Sequence, residues 1–196
     1  KKLLMASGLP TADFIPLNAV EDLDRVTVFP QIIKPALEGS SFGIHIVYSK
    51  DELRARYKEL VPQFSHLFVE TYIKGREITV SLMDNHVYPI LELVPKNVFY
   101  DFEAKYTQGM TQFILPAPLT KALEQTINQL AIKAYDVVGC RGAVRVDMMI
   151  DANNNPFILE LNTIPGMSDR SDLPAQANAA GIEFPLLIQK IIDASL

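Results

Sequence analysis

Two runs that alternate polar and apolar side chains, Ala143–Asp151 and Pro156–Asn162, are separated only by Ala152-Asn153-Asn154-Asn155, a turn by composition. That period argues for strands, and so short a connection makes them antiparallel neighbours in one hairpin. In the first run Arg145, Asp147 and Met149 share a face, with Val144, Val146, Met148 and Ile150 opposite. In the return run the same rule groups Ile158, Glu160 and Asn162 against Phe157, Leu159 and Leu161. A four-residue turn sets Asp151 across from Pro156, and therefore Asp147 across from Glu160. Facing carboxylates repel unless a cation lies between them. Asp, Glu and Asn offer only oxygen, which suits Mg²⁺ or Mn²⁺ and not zinc. Magnesium held by few carboxylates completes its shell with substrate phosphates, so this face points to a nucleotide. Arg145, two residues before Asp147, could stabilise charge developing in phosphoryl transfer. A solvated polar hairpin with incidental acids is the alternative reading of the same letters.

The rest of the chain supplies helices and further hairpins in separate runs, an α+β pattern. Lys1–Ser7 reads as the end of a helix stopped at Gly8, with no start signal before it, as expected of a piece cut from a longer chain. Strands are expected at Gln31–Lys34, Ile44–Tyr48, Leu67–Ile73, Arg76–Met83 and His86–Val94. In Arg76–Met83, Ile78, Val80 and Leu82 alternate with Glu77, Thr79 and Ser81. Ser49 and Glu52 have the spacing of a capping box for a helix to Leu60. Thr120 starts a helix to about Val137, Gly139 ends it, and a last helix spans Pro185–Ala194. Residues 95–115 read as a long polar excursion, and 163–174 as an irregular loop.

Composition excludes several classes. The 196 residues carry a net charge of −5 without a basic run beyond Lys1-Lys2, which gives no footprint for nucleic acid. Cys140 stands alone, so neither an intrachain disulfide nor a paired-cysteine metal site is possible. No apolar stretch reaches the roughly 20 residues a membrane span needs.

A second feature is Lys34 at the end of a strand, followed by Pro35-Ala36-Leu37-Glu38-Gly39-Ser40-Ser41-Phe42-Gly43. Such a loop can turn N–H groups and hydroxyls toward a phosphate while the lysine adds a point charge. It is not a Walker loop, because GxxxxGK[ST] is absent.

These residues, with Tyr100–Tyr106, Gly139-Cys-Arg-Gly142, Arg145-Val-Asp147 and Glu160-Leu-Asn162-Thr…Pro165-Gly-Met167, resemble the D-alanine–D-alanine ligases of the ATP-grasp superfamily. The resemblance runs in order from Lys2 to the C-terminus. It covers the family's central and C-terminal domains, with no counterpart of its N-terminal domain. It implies an ATP-grasp fold of two small α+β subdomains, residues 1–77 and 78–196, enclosing ATP, with a lid loop at 100–112. The implied reaction makes an acyl phosphate from one D-alanine, which the amine of a second then attacks. Lys2 and Lys34 align with phosphate-binding lysines, and Ser40, Ser41 and Gly43 with the loop over the phosphates. Glu70, Tyr72 and Ile73 align with the segment meeting adenine, and Glu77 with the acid on the ribose. Phe99, Met149 and Leu159 align with adenine-pocket walls. Asp147, Glu160 and Asn162 align with the ligands of Mg²⁺ or Mn²⁺, usually two ions. The resemblance places Arg145, Ser40, Tyr106 and Gly166 at the reaction itself, Lys105 in the lid, and Ser171 on the second substrate's carboxylate. It also implies a cytoplasmic role in supplying cell-wall peptide, the missing N-terminal domain as partner, a possible homodimer, and no membrane or nucleic-acid partner. Leu37, Val144 and Asp172 depart from the pattern, Asp172 beside the second-substrate pocket. A nucleotide-binding fragment without turnover, and another ATP-grasp carboxylate–amine ligase, remain open alternatives.

Overall fold

The computed structural model describes residues 1–39, 41–84, 86–96, 110–168 and 171–194. Expectations placed on Ser40, Phe99, Lys105 and Tyr106 lie outside them. The chain forms two compact units. One comprises Lys1–Thr11, Lys74–Val94 and Gln112–Leu196; the other comprises Ala12–Ile73 and Pro95–Thr111. The short helix α1 (Lys2–Ala6) thus belongs with the later strands.

The second unit carries a four-stranded antiparallel sheet of β1 (Phe14–Leu17), β2 (Gln31–Pro35), β3 (His45–Val47) and β4 (Leu67–Thr71), ordered β1-β4-β2-β3. Helix α2 (Lys50–Leu60) starts where Ser49 accepts from the Glu52 N–H, while Glu52 Oε2 reaches back to the Tyr48 N–H. Leu53, Tyr57 and Leu60 of α2 close the core with Ile33, Val47, Leu67 and Val69.

The first unit is built on β5 (Gly75–Met83), β6 (His86–Val87), β7 (Leu91–Pro95), β8 (Thr111–Ile114), β9 (Ala143–Asp151) and β10 (Pro156–Asn162). Their order is β10-β9-β5-β7-β8, with β6 paired to β5. Helix α3 (Lys121–Val138) lies on one face: Ile127, Ala131, Ala134 and Tyr135 pack on Ile78, Val80, Val146 and Met148. It ends at Gly139, whose φ of 72° is the left-handed conformation a helix stop requires. Gly75 is demanded by packing, since a Cβ there would stand 1.9 Å from the Ile150 carbonyl oxygen. Helices α4 (Asp172–Ala179) and α5 (Phe184–Asp193) finish the unit around Leu173, Ala177 and Leu187.

Three expectations are corrected. The strand sought over His86–Val94 is two pieces, β6 and β7, with residues 88–90 outside any strand between them, although the Tyr88 N–H still donates to the Ser81 carbonyl of β5 at 2.9 Å; Pro89 lacks the N–H a continuous ladder needs. The loop read over 163–174 contains the start of α4, because Pro174 falls in the first turn, where its missing N–H costs nothing. In the hairpin, Pro156 pairs with Ile150 rather than Asp151. The ladder then shifts by one between Ile158 and Glu160. That bulge reverses the faces, so Ile158 joins Met148 and Ile150 in the core while Glu160 and Asn162 stay on the opposite side.

Candidate active site

Register on the face away from α3 creates three rows across β5, β9 and β10: Glu77–Met149–Phe157, Thr79–Asp147–Glu160 and Ser81–Arg145–Asn162. Cross-strand partners project to the same side, so the polar positions of three strands meet there. The turn slip and the bulge offset each other, and Asp147 stands opposite Glu160.

Asp147 is only 7% exposed, and its charge is well met. Thr79 Oγ1 donates to Oδ1 at 2.7 Å. Arg145 donates through Nε to Oδ1 and through Nη2 to Oδ2, both at 2.8 Å. Asn162 Nδ2 donates to Oδ2 at 2.9 Å. The third corner of the guanidinium, Nη1, lies 3.0 Å from Asp172 Oδ2 on α4. Burial alone would lower the Arg145 pKa, but Asp147, then Asp172 and Glu160, hold it above the ordinary arginine value. Arg145 is therefore a permanent, oriented cation.

Helix α4 is fastened to the same face. Gln176 accepts from Ser81 Oγ at 2.6 Å and donates to the carbonyls of Thr79 at 3.0 Å and Pro89 at 2.8 Å. Ser171 stands just ahead of α4 without a side-chain bond into the helix; its Oγ accepts from the Ser168 N–H at 3.0 Å. A Cβ on Gly166 would come 2.8 Å from that oxygen, so the Gly166 backbone runs close beside Ser171.

The donor set tests whether a divalent cation suits this face. Among the described residues no group of three or more His, Cys, Asp or Glu is placed for a metal. Two carboxylates and the Asn162 amide make a sparse oxygen set, the kind that suits Mg²⁺ sharing its shell with phosphates.

The other unit holds a separate arrangement. Lys34 Nζ, at the end of β2, lies 2.6 Å from Glu70 Oε1 and 5.3 Å from the centre of the Phe68 ring. Glu70 is 1% exposed within β4. The loop after Lys34 turns through left-handed residues at Ser41 and Gly43, with φ of 59° and 73°. A Cβ on Gly43 would press within 2.9 Å of Pro35. Tyr72 and Ile73 follow β4, half-buried, and burial raises the Tyr72 pKa. Lys2 is exposed on α1.

Within the first unit, Glu77, Arg145, Asp147, Met149, Glu160 and Asn162 thus share one sheet face. Leu159 sits at the bulge beside them, half-buried. Sequence reading missed Thr79 and Phe157 as members of these rows. The polar alternation of β5 was the available signal for Thr79; Phe157 was hidden by the bulge. Asp172 stood out only as a departure, and its ion pair with Arg145 joins residues 27 positions apart (172 − 145).

A family profile described as "D-ala D-ala ligase C-terminus" matches residues 3–193. The chain belongs to the D-alanine–D-alanine ligase family. The ligase of Thermotoga petrophila is 46% identical over 187 residues, 93% of this chain and 61% of that protein. The Haemophilus influenzae ligase is 40% identical over 203 residues, all of this chain and 68% of that protein. Among solved structures, the Bacillus anthracis ligase complexed with ATP superposes with a TM-score of 0.83 at 35% identity, covering 99% of this chain and 64% of its own. The VanG D-Ala:D-Ser ligase of Enterococcus faecalis gives 0.85 at 27% identity, covering all of this chain and 60% of its own. The expected α+β, ATP-grasp fold is therefore the fold of the ligase family to which this chain belongs. The chain spans about three fifths of the length of these relatives.

Proposed function

We propose that this chain is the ATP-using part of an enzyme that joins two D-alanine molecules. The observation that carries the reading is the Thr79–Asp147–Glu160 row with Arg145 and Asn162 beside it. The ATP bound by the Bacillus anthracis relative supports it. Asp147, Glu160 and Asn162 are the residues we assign to Mg²⁺ or Mn²⁺, as one or two ions. Bound there, the metal would neutralise charge on the phosphates.

The remaining assignments follow from chemistry and placement. Lys34, the Ser40–Ser41–Gly43 loop and Lys2 are proposed to meet phosphate oxygens, Lys34 by exchanging Glu70 for the more highly charged group. Glu70, Tyr72 and Ile73 are assigned to the adenine edge, Glu77 to the ribose, and Met149, Leu159 and Phe99 to apolar contact with the base. The γ-phosphoryl group passes to the carboxylate of one D-alanine; the amine of the second attacks the acyl carbon and phosphate leaves. Arg145 and the Gly166 N–H are assigned to the tetrahedral oxyanion, where fixed donors lower the barrier most. Ser171 is assigned to the second carboxylate. Tyr106 and Lys105 are proposed to exclude water from the acyl phosphate.

Because the chain spans 61% of its Thermotoga relative, turnover is expected of the longer enzyme and not of this piece alone. The rest of that enzyme is the proposed partner, with a homodimer open. Among the described residues no helix is long and apolar enough to cross a membrane, and a cytoplasmic place in cell-wall supply is part of the proposal. The D-Ala:D-Ser relative favours one second reading, a different second substrate on the same chemistry. The test is phosphate release by the full-length enzyme with ATP and D-alanine. Asp147→Asn is expected to lower it by about 100-fold or more, the scale of losing charge stabilisation in an active site. Undiminished turnover in that variant overturns the reading, and D-serine outpacing D-alanine as acceptor selects the second one.

A further inference from the structure

We propose that Asp172 is a positioning residue: it holds the Arg145 guanidinium from α4, so that Arg145 keeps its place when Asp147 turns an oxygen to a cation. The inference rests on reading Asp147 as a cation ligand.

The two oxygens of Asp147 receive donors from Thr79, from Arg145 twice and from Asn162. A carboxylate offers about four acceptor positions, so a cation taking one displaces a donor. Thr79 is fully buried at the centre of the ladder and carries no charge. Arg145 has the sign of the incoming ion, so it is the donor that is repelled. Tied to Asp147 alone, a long flexible side chain would swing away and lose its orientation. The structure gives it a second tie, Nη1 to Asp172 Oδ2 at 3.0 Å. Asp172 is 6% exposed, and its helix is fixed to the same sheet through Gln176, Ser81 and the carbonyls of Thr79 and Pro89. The anchor therefore does not depend on the ion that displaces the first tie. It also directs the Asp172 charge to Arg145, although Asp172 follows Ser171 directly.

The test uses this chain labelled with ¹⁵N at arginine, the Arg145 Nη1–H signal, which faces Asp172, being identified by its loss in Arg145→Lys. In the wild type that signal is expected to stay protected from solvent exchange when Mg²⁺ and ATP are added. In Asp172→Asn and Asp172→Leu it is expected to exchange at least about tenfold faster under the same conditions, and Asp172→Glu to restore part of the protection. Mn²⁺ binding in the presence of ATP, read by electron paramagnetic resonance, is expected to weaken by about tenfold in Asp172→Asn, from removing one nearby negative charge. Should Asp172→Leu fail to fold, the near-isosteric Asp172→Asn carries the comparison. Unchanged exchange in the Asp172 variants overturns the inference while leaving the parent reading intact. Mn²⁺ binding that survives Asp147→Asn, or no Mn²⁺ binding by the wild type, overturns the parent reading and this inference with it.

Discussion

Each unit buries a basic residue against an acid, and the two do it differently. Arg145 meets Asp147 through two parallel hydrogen bonds and Asp172 through a third nitrogen, which fixes the plane of the guanidinium. Lys34 meets Glu70 through one nitrogen and rests over Phe68. An ammonium held at one point can rotate and be handed to a stronger anion; a guanidinium held at three corners cannot without breaking the set. The hairpin face therefore holds its cation preorganised, and the Lys34 corner holds its cation releasably.

The sharpest way to break that contrast is Arg145→Lys. A lysine ammonium cannot span Asp147 bidentately and still reach Asp172, so carboxylates buried around it lose partners. We expect a loss of about 2–4 kcal/mol, slightly less than a fully buried broken pair because Arg145 retains some exposure. Chemical denaturation of this chain, followed at each unit, measures it. A loss below about 0.5 kcal/mol, the scale of exposed pairs, would mean that the three-cornered grip contributes nothing.

Next in size is Glu70→Gln. The amide keeps an oxygen for Lys34, and Lys34 retains some access to water, so the expected cost is about 1–2 kcal/mol. The same variant keeps an amide oxygen at the adenine edge and removes the carboxylate that competes for Lys34, so ATP is expected to bind with equal or better affinity; isothermal titration reads this. If Glu70→Gln proved costlier than Arg145→Lys, the ranking of rigid over releasable would be reversed.

The two regions were also unequally legible in the sequence. Alternation in β5, β9 and β10 disclosed the Asp147–Glu160 opposition because a period of two is a local signal. The bulge at Leu159 was not legible, since nothing in Phe157-Ile158-Leu159-Glu160 marks an extra residue. The opposition was nonetheless reached, because an error of one in the turn matched the shift of one in the ladder. Helix α4 escaped because Pro174 looks like a breaker unless its place in the first turn is known. The Lys34–Glu70 pair could not be read at all: it depends on β2 and β4 lying side by side, with Lys34 opposite Phe68 two residues from Glu70. Pairing between strands distant in sequence leaves no local trace. Lys34 itself is marked by its place before a Gly/Ser loop and by the family resemblance.

The smallest expected effect concerns pH and separates the units by a different route. His45 lies in β3, opposite Ile33, in the sheet that carries Lys34. Burial lowers its pKa, Arg56 adds to the lowering, and Glu59 opposes it. Protonation is thus harder in the folded chain than in the unfolded one, and the unfolded state takes up the proton first as pH falls. The histidine costs nothing above its unfolded pKa of about 6.5; stability declines as pH drops from there to the lower folded value and levels off below it. Arg145 has no counterpart to this, since its pKa is raised and it stays charged throughout that window. Thermal melts at about pH 7.5 and about pH 5 should show a larger acid-side loss in the wild type than in His45→Gln, read in the four-stranded unit, because the histidine term is the only one the substitution removes. Equal losses in both proteins would show that the imidazole is as easily protonated folded as unfolded, and the pH response would then belong to carboxylates common to both.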